Sequence, residues 1–290
     1  MLKFRLVSLF VLVNGILASC QNSTSQPQTP KEAQLPATTK IVSLNGTVSE
    51  ILIDLGLEKN IVGVDVTSTY PASLQQKAKV GHNRTISSEG VLALQPDLII
   101  GLKQDVKPEL AEQFRTAGAR VLLFDQEYSA EGAKKLIYQL ADSLHQKAKA
   151  DSLVKQLNTE LAQVPAAPAN KPKVLFIYAR GTGTMMVAGE DTQVEQVVEM
   201  AGGQNAVKGF KDFKPLTSEA LVKANPDVIL LFDSGLQSLG GPQGLLDVQG
   251  VAQTNAGKNK KIVAMDGALL TGFGPRLGQA VTQLAQKLQQ

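Results

Sequence analysis

The chain has 290 residues, 43% hydrophobic, 19% charged and 4% aromatic, enough for one large or two medium domains. Its mean hydropathy is near zero, which excludes a polytopic membrane protein, and its apolar content excludes disorder throughout. The formal net charge is +3, or +1 once Lys3 and Arg5 leave with an export segment, and the sequence has one Cys and two His; scattered charge makes no nucleic-acid surface, and so few thiols and imidazoles exclude a disulfide framework, a thiolate-rich zinc site or a multi-histidine metal site.

Residues 1–19 read as a lipoprotein signal peptide. Lys3 and Arg5 form a basic start, and Leu6 to Ala18 is largely apolar but too short for a stable span. Leu17-Ala18-Ser19-Cys20 resembles a bacterial lipobox, which implies cleavage before Cys20 and acylation of its thiol. Each acyl chain contributes about 0.8 kcal/mol per buried CH₂, so several chains hold a domain at a membrane. Residues 20–38 are rich in Ser, Thr, Gln and Pro without apolar periodicity and read as a disordered tether.

The next segment, 39–128, reads as an N-terminal α/β lobe. Lys40–Leu44 predicts a strand. Val48–Leu57 predicts a helix, with Thr47 as N-cap and Gly56 near its end. Ile61–Asp65 is a second strand, Asp97–Ile100 a third after a helix from Ser88, and Val121–Phe124 a fourth after a helix over 107–117. Strands alternating with helices imply a parallel sheet. Across 129–165 the spacing of Leu136, Leu140, Leu144, Ala148, Val154, Leu157 and Leu161 predicts one long connecting helix, with His145 on its surface. Pro165, Pro168 and Pro172 lead into a C-terminal α/β lobe, 166–290, with strands around 174–178, 228–232 and 262–264 and a helix over 194–200.

Ser88–Ile100 echoes Ser218–Leu230: each copy opens a helix with a Glu (Glu89, Glu219) and enters a strand through Pro-Asp eight residues later. A carboxylate in a first helical turn is favoured by the dipole alone, but the dipole does not explain the shared register. No G-x-S-x-G elbow, P-loop, complete dinucleotide fingerprint or metalloprotease motif is present; the sequence reads as a non-enzyme.

The lipobox, tether, two lobes and connecting helix resemble a substrate-binding protein of an ABC importer, of the helical-spine class serving haem, cobalamin, siderophores and some metals. Ile41–Ile51, Gly63–Pro71, Val80–Arg84, Gly202–Ala206, Gly240–Leu246 and Gly272–Arg276 resemble the haemin-binding subfamily more closely, over about residues 39–290. The resemblance implies two Rossmann-like lobes joined by a single long α-helix, and haem as transported ligand with no permanent cofactor. It also implies Glu89 and Glu219 as the contacts to the ABC permease and its ATPase.

Tyr70 follows a strand and precedes Pro71, and strand ends of such lobes face the ligand crevice. A phenolate is a hard anionic donor suited to Fe(III), and Tyr is an established axial haem ligand. His82 is a candidate second contact. Arg84, Arg180 and Arg276 are candidate partners for the two haem carboxylates; Phe273, Met185 and Met186 are candidate apolar walls. These residues predict a monomeric, extracytoplasmic haem-binding lipoprotein feeding an importer for iron acquisition. A cobalamin or ferric-siderophore carrier, in which Tyr70 merely lines the cleft, is the alternative, and an extracytoplasmic enzyme on the same scaffold a more distant one.

Overall fold

A computed structural model describes residues 35–290; the signal segment, Cys20 and nearly all of the tether lie outside the described residues. The first lobe carries strands β1 (Ile41–Ser43), β2 (Ile61–Val64), β3 (Ala78–Lys79), a small hairpin of β4 (Gly81–His82) and β5 (Thr85–Ile86), β6 (Leu98–Leu102) and β7 (Arg120–Phe124). Its helices are α1 (Gly46–Asp54), α2 (Ser88–Leu92) and α3 (Pro108–Thr116). The main sheet runs β3-β2-β1-β6-β7 and is parallel throughout. Successive residues feed opposite cores: Ile41 and Ile100 face one, Val42 and Ile99 the other. Both faces are therefore covered, the condition under which parallel strands read as unbroken apolar runs.

Two helices follow, α4 (Ala130–Ser143) and α5 (Lys147–Ala162). The second lobe then has β8 (Lys173–Ala179), β9 (Met185–Ala188), β10 (Gln204–Asn205), β11 (Phe213–Pro215), β12 (Val228–Phe232) and β13 (Ile262–Met265). Its helices are α6 (Gln193–Met200), α7 (Ser218–Ala224), α8 (Asp233–Ser238), α9 (Gly241–Leu246), α10 (Asn255–Lys258), α11 (Gly267–Thr271) and α12 (Leu277–Gln289). The sheet order is β11-β9-β8-β12-β13, with β10 paired to β8; β9 and β11 are antiparallel to their neighbours. Among the described residues no helix is long and apolar enough to cross a membrane.

The repeated Pro-Asp has a structural basis. Asp97 accepts from the backbone N–H of Lys40 at 2.8 Å, and Asp227 from that of Lys173 at 3.0 Å. Each carboxylate thus pins the entrance of its lobe's central strand. Ser87 and Thr217 cap the two echoed helices, α2 and α7, leaving Glu89 and Glu219 exposed in the first turns.

The single helix expected over 129–165 is two helices. Leu144 closes α4 and exposed His145 adopts φ 55°, a left-handed conformation that no continuing helix permits. Gln146 then donates back to Ala141 at 2.8 Å. Tyr138 Oη meets Asp151 Oδ1 at 3.1 Å across thirteen positions, which a straight helix would hold about 20 Å apart. The chain folds back, so α4 belongs to the first lobe, against α1. The sixteen residues of α5 make the connection: Lys149 Nζ donates to the Leu55 carbonyl at 2.6 Å near its start, and it packs along α12 in the second lobe. One continuous core, including Leu52, Leu136, Leu157, Phe176 and Leu284, runs from lobe to lobe through these helices.

Replacing His145 with Gly is expected to stabilise the protein to urea, and with Val to cost about 1–2 kcal/mol, because a β-branched residue resists the left-handed region. A continuous helix would give the opposite sign for Gly, which costs a helix interior about 1 kcal/mol.

Candidate functional site

A cavity of about 670 Å³ lies between the lobes, lined by both; pockets for small ligands and cofactors span roughly 300–1,000 Å³. Its walls follow from topology. Asn45 and Gly46 follow β1, Thr67, Thr69 and Tyr70 follow β2, Gln104 and Asp105 follow β6, and Gln126 and Tyr128 follow β7. Opposite stand Asp191 and Thr192 after β9, Asp212 and Phe213 at β11, and Ala268, Thr271 and Arg276 beyond β13. In the first lobe the carboxyl ends of parallel strands meet the crevice; in the second, part of the wall comes instead from the antiparallel pair, past the end of β9 and at the start of β11.

The turn carrying Tyr70 is held from beneath by a buried polar network. Asp65 accepts from the Thr67 backbone N–H at 2.9 Å, from the Thr67 hydroxyl, and from Ser68 Oγ at 2.6 Å. Ser49 Oγ lies 2.8 Å from both Ser43 Oγ and Ser68 Oγ, so α1, β1 and the turn share one set of hydroxyls. Tyr70 emerges from this base 46% exposed at the cavity edge.

Arg276 sits over the Tyr70 ring, its guanidinium carbon 3.5 Å from the ring centroid, close enough for a cation–π contact. The same guanidinium forms a fork with Glu50: Nε to Oε1 at 2.9 Å and Nη2 to Oε2 at 2.6 Å. Both side chains are nearly buried, 13% and 10% exposed. Burial pushes the Glu50 carboxyl up from its ordinary value, against the bonds and charge of Arg276. One turn along α1, Asp54 is pushed up to about 6 by burial and then by the Glu50 charge.

On the first-lobe wall Asp105 accepts from Asn45 Nδ2 at 2.8 Å and from Asn83 Nδ2 at 3.1 Å; burial pushes its carboxyl up despite both bonds. Asn45 Oδ1 also caps α1, accepting from the N–H groups of Thr47 and Val48; Asn45, not Thr47, is the cap. Tyr128 Oη accepts from Gln104 Nε2 at 3.1 Å, and burial raises its phenol above the ordinary value.

Of the predicted site residues, the structure brings Tyr70, Arg84 and Arg276 to the cavity. Arg84 is exposed and forms no ion pair among the described residues. Others differ from expectation. Phe273 is 0% exposed, packed behind Tyr128 at 5.5 Å between ring centroids; it belongs to the core because the flanking glycines bring its backbone tight against α1. A Cβ on Gly274 would stand 2.7 Å from Thr47 Cγ2. Met185 packs into the second lobe's outer core and Met186 pairs with Pro215 in the sheet, so neither lines the cavity. Arg180 leaves the cavity to lie over the Tyr178 ring, 5.7 Å from its centroid. His82 is half-buried in the β4–β5 hairpin, accepting from the Arg84 N–H at 3.2 Å rather than lining the cavity. Gln104, Asp105, Tyr128, Asp191 and Asp212 were not anticipated; the first four lie past a strand end, the positional signal that marked Tyr70, whereas Asp212 lies at a strand entrance.

A family model described as periplasmic binding protein matches residues 41–269. The chain belongs to the periplasmic binding protein family. It is 29% identical over 255 residues to an uncharacterized ABC transporter substrate-binding lipoprotein, YvrC of Bacillus subtilis, covering 86% of this chain and 79% of that one. It is 28% identical over 236 residues to the high-affinity heme uptake system protein IsdE of Staphylococcus aureus, covering 79% and 77%. The periplasmic heme-binding protein RhuT from Roseiflexus sp. RS-1, in apo form, superposes with a TM-score of 0.80 at 38% identity, covering 86% of this chain and 97% of that one. The family fold is thus two α/β lobes around a cleft, and its members are binding proteins of transporters.

The Asp54 shift carries a testable sign. Its folded value lies above its unfolded one, so its contribution to stability is full below the ordinary carboxylate range and is lost as pH rises through about 6. Asp54→Asn is expected to raise Tm at about pH 8, the gain vanishing near pH 4; thermal melts at both values check this.

Proposed function

We propose that the protein is an extracytoplasmic haem-binding protein that delivers haem to an ABC importer for iron acquisition. The observation that carries this reading is Tyr70: an exposed phenol at the mouth of an inter-lobe cavity, raised on a hydrogen-bonded base and faced by a guanidinium. The similarity to IsdE and RhuT supports the same ligand class.

In this reading the Tyr70 oxygen binds Fe(III) as phenolate, the hard donor a ferric centre prefers. Arg84, which forms no ion pair among the described residues, receives a ligand carboxylate. Asp212 on the opposite wall repels carboxylates, while Asp191 there is paired with Lys211, so the two walls favour one orientation of an unsymmetrically charged macrocycle. Glu89 and Glu219, one exposed carboxylate per lobe, meet a basic permease surface and steer its encounter. Acylation of Cys20 anchors the chain outside the membrane as a monomer. Asn45, Gln104, Gln126 and several threonines give the cavity a neutral hydrogen-bonding lining; that favours, as a second reading, an amide-bearing corrinoid.

Spectral titration with haemin, cobalamin and a ferric siderophore separates these readings. Haemin is expected to bind with a high-spin ferric spectrum that Tyr70→Phe abolishes. Binding of cobalamin alone, or an unchanged haemin spectrum in Tyr70→Phe, would sink the first reading. Arg84→Gln is expected to weaken haemin by about 10-fold, the scale of one charged hydrogen bond, while leaving the haemin dimethyl ester unaffected.

A further inference from the structure

We infer that Glu50 and Arg276 are positioning residues: an inter-lobe tie that orients the Tyr70 ring, so that Arg276 is not a receiver of ligand carboxylates. The inference rests on the haem reading above and gives a second role to a segment expected to form cleft wall.

Arg276 stands at the start of α12 in the second lobe, and Glu50 lies within α1 in the first, 226 positions away. The fork between them is bidentate, the geometry that fixes a guanidinium plane most strictly. With that plane fixed, its flat face lies on the Tyr70 ring. Tyr70 hangs from the first lobe, so its ring is caught between its own turn and a group delivered by the other lobe.

The surroundings show a built joint. Phe273 is buried and its carbonyl accepts from Gln126 Nε2 at 3.3 Å, across the lobes. Gly274 allows contact with Thr47 that no side chain would tolerate. Gly272-Phe273-Gly274-Pro275-Arg276 is thus the segment by which the second lobe closes on α1. An incoming carboxylate would find Arg276 already neutralised by Glu50, its Nε and Nη2 donors engaged and one face covered by an aromatic ring.

The test uses the full chain, haemin and haemin dimethyl ester, with two variants. Arg276→Lys keeps the charge but loses the fork. The double variant Glu50→Gln with Arg276→Gln leaves no unpaired buried charge, so it addresses the tie even if the lysine variant folds poorly. Both are expected to take up haemin but to release it about 10- to 100-fold faster, the usual loss when a partner orienting a metal ligand is removed. The phenolate-to-iron charge-transfer band is expected to shift, and the factor to be equal for acid and ester. Release within about twofold of the parent with an unmoved band in both variants would overturn the inference, twofold being well inside the loss expected for an orienting partner. So would a loss confined to the free acid, which would assign Arg276 to a ligand carboxylate. A parent chain that takes up no haemin overturns the haem reading and this inference together; a parent that binds, with variants that behave like it, overturns this inference alone.

Discussion

The architecture of the cleft depends on one contact, the fork between Glu50 and Arg276. It is the one ion pair among the described residues whose partners are both nearly buried; each of the others has at least one well-exposed partner, and Lys103–Asp125 and Lys211–Asp191 are exposed on both sides. Exposed pairs contribute little, whereas removing one partner of a buried pair leaves a charge without solvent and costs about 3–5 kcal/mol. The lobes are therefore held in register at the cavity edge itself, beside Tyr70.

Behind that edge the lobes share a core. Residues of α4, α5 and α12 join the inward faces of both sheets in a single apolar cluster. Tight interiors deform reluctantly, and a connector helix packed along its length against the second lobe has little freedom to bend. Such a hinge suits small lobe movements. The polar network of Asp65, Ser43, Ser49 and Ser68 does for the Tyr70 turn what the core does for the lobes: every buried group has a partner, so the turn has one arrangement.

Charge is unevenly divided across the cavity. The first-lobe wall carries Arg84, while Asp105 beside it is engaged by two asparagine amides; the second lobe presents Asp212, with Asp191 paired to Lys211. A ligand with carboxylates on one side has a preferred way round in such a cleft, and a neutral one has many hydrogen-bonding partners. This asymmetry arises only when residues far apart in sequence meet, since no stretch of the chain is itself strongly charged.

The parallel α/β lobes, the echoed Pro-Asp strand entrances and the placement of Tyr70 at a strand end were legible in the sequence, because they depend on short-range pattern: apolar runs, caps and the rule that strand ends face the crevice. The break at His145 was not legible, since the apolar spacing continues across it and only the return of Tyr138 onto Asp151 reveals the fold-back. Nor were the fates of Phe273, Met185, Met186 and Arg180, whose residue types suit a ligand wall and a core or surface equally well. By itself the sequence determined which elements form and which residues stand at their ends. Tertiary structure alone decided which of those residues face the cavity and which are spent on each other, because burial and the pairing of Arg276 with Glu50 are set by how two distant lobes close.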